Sequence, residues 1–152
     1  METPDYQAYF RGYAAAYERS LGASVDSAAI RSFFAESFVS AGVNGQVMAG
    51  VNDDSFEKTL QQGYAFYKAI GTKGMKVERV EADALYENHD RVRVYYRAAY
   101  RKKDGSSLEI PFEVLYLLQR RATGPKIFAF IAGDEMGLYR QYGLINDKGE
   151  AA

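Results

Sequence analysis

Cysteine and tryptophan are absent from the 152 residues, and histidine occurs once, as His89. Without cysteine there is no disulfide, no thiolate metal site and no cysteine nucleophile. A single histidine excludes a multi-histidine metal site and argues against a buried Ser-His-Asp triad, all the more because His89 sits in the polar turn "ENHD". No stretch of apolar residues is long enough to span a bilayer, and the opening "METPDYQAYFRGY" has no basic segment followed by an apolar run, so neither a membrane anchor nor a secretory leader is expected. Charge of one sign is missing too. Nineteen basic residues against twenty acidic ones give a formal charge of −1, which offers no footprint for nucleic acid. The expectation is a cytoplasmic protein with no nucleic-acid or membrane partner and no cofactor. Its acid–base chemistry, if any, must run on Asp, Glu, Tyr, Lys or Arg.

What is abundant is aromatic: 13 tyrosines and 9 phenylalanines. A tyrosine joins an apolar ring to a hydroxyl that needs a partner when buried, so a tyrosine-rich interior points to a partly polar cavity or a polar-edged core. A chain of this length buries about 68–70% of its unfolded surface without staples, and residues 1–152 read as one domain.

The periodicity changes along the chain. Residues 4–21 read as a helix, with Thr3 as cap, Pro4 in the first turn, and Tyr6, Phe10, Tyr13 and Tyr17 on one face. "DSAAIRSFFAESF" reads as a second, shorter helix capped by Asp26 or Ser27. The glycine-rich segment 39–52 reads as irregular, with a short strand at each end. Asp54 and Glu57 have the spacing of a capping box for a third helix carrying Phe56, Leu60, Tyr64, Tyr67 and Ile70. Beyond Gly71 and Gly74 the period becomes two, and residues 75–87, 91–103, 107–121 and 126–134 read as four long strands. A short final helix is expected near Gly137–Leu144.

Helices followed by a long meander predict an α+β domain, its helices covering one face of a curved antiparallel sheet. The alternation predicts which face is which. Val92, Val94, Tyr96, Ala98 and Tyr100 point one way with Ile110, Phe112, Val114, Tyr116 and Leu118; Arg93, Arg97 and Arg101 share the other with Glu109 and Glu113. A three-residue loop at Asp104–Ser106 would set Arg97 opposite Glu113 and Arg101 opposite Glu109. Tyr95, Leu115 and Leu117 interrupt that charged face and are the expected seam of a homodimer formed through the outer side of the sheet.

This order of elements, with the segments "GYAAAYERSL", "FFAESF" and "EIPFEVLYLL", resembles the nuclear transport factor 2-like superfamily, which includes ketosteroid isomerases, scytalone dehydratase and polyketide cyclases. The resemblance covers about residues 5–145. It implies a cone-shaped α+β barrel with a pocket at its wide end. It also implies a cofactor-free isomerase, dehydratase or cyclase acting on a small apolar or polar-aromatic molecule, or a non-catalytic ligand-binding or dimeric module of the same fold. By the same resemblance Tyr13 in "GYAAAY" is the counterpart of the isomerases' oxyanion donor, and Glu113 in "PFE" stands where they carry a protonated Asp. Where they place the general base, this chain reads Phe38–Gly42, with no acid.

The candidate catalytic residues are therefore Glu113, Tyr13 and Asp134, and the candidate substrate contacts are Tyr17, Tyr96 and Tyr116. Glu113 has two incompatible orientations: inward as a buried acid, or outward in the charged ladder. Asp134 follows Phe128 and Phe130 in phase at the end of the last strand. It serves either the pocket rim or the cap of the final helix, where Glu135 reads as a first-turn charge.

Overall fold

The computed structural model describes all of residues 1–152. Four helices and six strands alternate in the order α1 (Tyr6–Ser20), α2 (Ser27–Ser32), β1 (Phe34–Gly42), β2 (Val47–Val51), α3 (Asp54–Ala69), β3 (Thr72–Tyr86), β4 (His89–Arg101), β5 (Ser107–Gln119), β6 (Lys126–Ala132) and α4 (Glu135–Gln141). The strands form one curved, unclosed sheet in the order β2-β1-β6-β5-β4-β3. Every neighbouring pair is antiparallel except β1 and β6, which run parallel. The helices lie in the concave face.

Each helix begins on an aspartate whose carboxylate accepts a hydrogen bond from a first-turn amide, which satisfies one of the amides a helix leaves unpaired. Asp5 takes Ala8, Asp26 takes Ala29, Asp53 takes Ser55 and Asp134 takes Gly137. Two caps expected from the sequence shift accordingly. Asp5, not Thr3, caps α1, and Asp53, not Asp54, caps α3, leaving Asp54 in the first turn, where its charge favours the dipole.

The second helix is half the expected length. It stops at Ser32, and Phe34 opens β1. Ile30, Phe34 and Phe38 are spaced by four, an interval that suits a helix and also keeps side chains on one face of a strand. Pattern alone therefore could not separate the two states. Pairing decides: β1 gains ladders to both β2 and β6, and Phe34 and Phe38 still reach the core.

The long strands keep the expected faces. Val92, Val94, Tyr96, Ala98 and Tyr100 are all buried, as are Ile110, Val114, Tyr116 and Leu118. The register differs by two residues from the one the short loop predicts. Residues 102–106 separate the strands, so Tyr95 pairs with Glu113, Arg97 with Pro111 and Ala99 with Glu109. A slip of two leaves every side chain on its face, and the charges pair diagonally instead. Arg93 reaches Glu113 at 3.1 Å and Arg97 reaches Glu78 at 3.1 Å.

The narrow end of the fold is closed by a polar clamp. Asp90, 1% exposed, accepts two hydrogen bonds of 2.7 Å from Arg120 and one from the Tyr6 hydroxyl, which ties the start of α1 to β4 and the end of β5. Burying a carboxylate is tolerable only with such partners. At the other end, Gly71 (φ +90°) turns α3 into β3 against the backbone of Arg101. Any side chain there would begin 2.1 Å from the Arg101 carbonyl oxygen.

Candidate functional site

The concave side of the sheet is not filled. A cavity of about 670 Å³ lies between α1, α3, the β1–β2 hairpin, β4–β6 and the start of α4. This is within the range of small-molecule sites, typically about 300–1,000 Å³. Of its 30 lining residues 21 are hydrophobic, so an occupant must be largely apolar.

The polar groups that do face it are few and specific. Tyr13 and Tyr17 project from α1, because the i, i+4 spacing sets them one above the other. Tyr64 and Tyr67 come from α3 and pack edge-on at 5.5 Å, with Tyr17 against both. The hydroxyls of Tyr13, Tyr17, Tyr64 and Tyr67 bond to no protein group, yet none is sealed away as an unpaired buried atom; they open on the cavity. By contrast, Tyr96 and Tyr116 satisfy each other across β4 and β5, their hydroxyls 2.7 Å apart. Burial pushes the hydroxyls of these tyrosines up, Tyr13 to about 12, so all of them are proton donors at neutral pH.

The carboxyl in the cavity wall is Glu135. It is the first residue of α4, and the sharp exit from β6 through Gly133 and Asp134 turns it inward. Its carboxyl is surrounded by protein but opens on the cavity, and no protein donor bonds to it. That burial raises its pKa above the ordinary carboxylate value. Its charge in turn adds to the burial effect that raises Tyr13, Tyr67, Tyr100, Tyr116 and Tyr139, drawn from every element around it. A buried group with a displaced pKa and no structural partner is the usual mark of a site.

Of the residues singled out from the sequence, Tyr13, Tyr17, Tyr96, Tyr116 and Asp134 all line this cavity. Asp134 does so with its carboxylate engaged, accepting from the Gly137 amide at 3.0 Å as the cap of α4. Glu113 requires a correction. It lies on the outer face, its side chain 48% exposed and paired with Arg93, so it cannot donate to anything in the cone. The alternation of β5 compels this: Val114 and Tyr116 face inward, and Glu113 must face out. Glu135, read from the sequence as a helix charge, is the residue that reasoning missed. Locally it is indistinguishable from a first-turn helix charge, because its direction is set by where β6 ends.

No curated protein matches the chain. Solved structures share its fold at low identity. An NTF2-like protein with a cystatin-like fold from Novosphingobium aromaticivorans has a TM-score of 0.65 at 11% identity over 90% of this chain and 85% of that one. A ketosteroid isomerase-like protein from Erwinia carotovora atroseptica has a TM-score of 0.58 at 18% identity, over 85% and 91%. An NTF2-like protein of unknown function from Shewanella oneidensis has a TM-score of 0.60 at 14% identity, over 87% and 100%. At these identities the likeness is one of fold. The sequence itself matches the profile of one family from residue 3 to residue 135, and the chain belongs to it: the NTF2-like protein family DUF6841.

Proposed function

We propose that the domain binds a small, mainly apolar molecule in the cone and that Glu135 serves it as the acid–base group of a cofactor-free isomerase, dehydratase or cyclase. The observation that carries this reading is the unpartnered Glu135 carboxyl in an apolar wall, beside tyrosine hydroxyls with no protein partner. A carboxylate of raised pKa is a stronger base than one in water. In this scheme Glu135 takes a proton from carbon next to a carbonyl. The hydroxyl of Tyr13 or Tyr67 donates to the oxygen on which charge develops, and the proton returns to a second carbon or exchanges with solvent. Tyr17, Tyr96 and Tyr116 form the apolar walls. Asp134 acts through Glu135, by fixing the first turn of α4.

The test is solvent exchange. Cyclic enones and β-hydroxy ketones are screened by thermal shift, and the binders are incubated in deuterium oxide and followed by NMR. The reading expects deuterium uptake beside the carbonyl that Glu135→Gln abolishes while binding remains. Binding without uptake would leave a ligand-binding module, which the absence of an acid in Phe38–Gly42 favours. No binding at all would overturn both.

The outer face supports a second element of this reading, a homodimer. The register lines up Val47, Ala41, Ile131 and Leu115 across four strands, and Ala49, Val39, Ala129 and Leu117 beside them. Val39 and Ile131 are 41% and 43% exposed. This apolar band is broader than the strip of Tyr95, Leu115 and Leu117 read from the sequence, and Tyr95 is already covered by Arg79, whose guanidinium lies 4.1 Å from its ring centre. Leu115→Glu with Ile131→Glu should convert a dimer to a monomer in light scattering; a wild-type protein that is monomeric at all concentrations overturns the assignment.

A further inference from the structure

The composition of the cavity wall carries one step more, resting on the binding half of the reading above. Eight tyrosines and five phenylalanines line the cone, with the carboxylates of Asp134 and Glu135 at one side. Lysine, arginine and histidine are all missing from the lining. The chain is not short of cations: it has 19 lysines and arginines, and the sheet carries many of them on its outer face. They are simply kept out of the cone.

Three kinds of occupant can be weighed against that wall. An anion would find no positive charge, would face one free carboxyl, and would lie against ring faces that repel it. A neutral apolar molecule would cover Glu135 and leave a carboxyl sealed without a partner, an arrangement that costs free energy. A positively charged nitrogen set in an apolar body satisfies both constraints. It meets the free carboxyl and lies over aromatic faces whose quadrupoles attract cations, the arrangement by which aromatic cages hold quaternary ammonium groups. We infer that the ligand of this cone is an organic cation, an amine or quaternary ammonium carried on an apolar or aromatic skeleton, with Glu135 as its counter-ion.

The same pairing bears on the proposed chemistry. A cationic nitrogen beside Glu135 keeps its carboxyl ionised, which is the form able to accept a proton. Binding must therefore release a proton at any pH where empty Glu135 is partly protonated. The groups that face it are Tyr13 from α1, Tyr67 from α3, Tyr100 from β4, Tyr116 from β5, Tyr139 from α4 and Asp134 before it. The tyrosines stay protonated through neutrality, so the released proton is assigned to Glu135, the carboxyl in the lining with no hydrogen-bond partner.

A pair of probes of one shape isolates the charge: 4-hydroxyphenyltrimethylammonium and its uncharged isostere 4-tert-butylphenol. Titration calorimetry on the whole chain should show the cation binding at least about tenfold more tightly, the order expected for a desolvated cation over several rings. Proton release should appear as a dependence of the heat on the buffer's ionisation enthalpy. Glu135→Gln should bring the two affinities within about threefold of each other. Tyr67→Leu should weaken the cation more than Tyr67→Phe, since only the first removes the ring. If 4-tert-butylphenol binds as tightly as the cation, the inference falls while the cavity remains a binding site. If neither binds, both fall. A cation preference that survives Glu135→Gln, or wild-type binding without proton release at pH 4.5, where a carboxyl raised above 4.5 is more than half protonated when empty, removes Glu135 as the counter-ion even where the variant proves hard to obtain.

Discussion

Gly63 offers a sharp test of whether the cone is kept open for a ligand. It lies inside α3 and lines the cavity, and a methyl group built on it meets no atom within 4 Å. A glycine in a helix interior costs roughly 0.5–1 kcal/mol relative to alanine through backbone entropy. Gly63→Ala should therefore stabilise the protein by about that amount. In a domain of this size 1 kcal/mol moves the melting temperature by about 2–4 °C, so the rise should be about 1–4 °C. Gly63→Leu adds the burial of an aliphatic side chain, worth about 1.5–3 kcal/mol when complete and nearer 1 kcal/mol here, where one side of the group still meets open space. It should melt about 3–8 °C above wild type while losing affinity for cavity ligands at least about tenfold. Scanning calorimetry and ligand titration on the same samples check the pair of effects. A Leu variant that melts below wild type would mean the wall is already packed at that point. One that melts higher and binds as before would mean ligands bind elsewhere.

Further outcomes follow from the charges. Glu135 is raised in the folded state, so its contribution to stability is present below the unfolded value near 4.5 and is lost as pH rises through the folded one. The melting temperature of Glu135→Gln should accordingly pull ahead of wild type as pH is taken from about 4 to 8, and a constant difference would refute the assignment of a buried carboxyl. Asp90 is lowered, chiefly by hydrogen bonding to Arg120, so its contribution is present above 3.8 and lost as pH falls through its folded value. Tyr6→Phe removes one hydrogen bond to it and should cost about 1–2 kcal/mol in urea denaturation. Asp90→Asn should cost more, because a guanidinium is left facing a neutral group. Glu113→Gln breaks only an exposed pair, so stability should change by less than about 0.5 kcal/mol and ligand affinity not at all.

The faces of β4 and β5 were legible because a period of two with one apolar set admits a single orientation, and a register slip of two cannot disturb it. The same alternation accounts for the orientation of Glu113, which the residues alone left open between the cavity and the charged ladder. The boundary between α2 and β1 was not legible. Ile30, Phe34 and Phe38 satisfy both periods, and the deciding partners are other strands, β2 across a hairpin and β6 far along the chain. The tyrosines of the cone were found because α1 carries them on one stripe, but their division into bonded and free hydroxyls depends on neighbours from other elements. Tyr96 is satisfied only because the β4–β5 register sets Tyr116 within reach.

Glu135 escaped sequence reasoning for a physical reason that also explains its suitability. An acid in the first turn of a helix has a complete local explanation in the dipole, and Asp134 before it has another as a cap. Both explanations hold, and neither says which way the helix enters the fold. In α4 the entry is fixed by the end of β6, which delivers the first turn to the open mouth of the cone. The cap then ties the Asp134 carboxylate to the Gly137 amide, and the next carboxyl is left without a partner in the cavity wall. Glu113 faces out and Phe38–Gly42 carries no acid, so the proposed proton transfer passes through one carboxyl on α4. In the proposed reaction the substrate presents its reactive group toward α4, with its apolar body against β1 and α3.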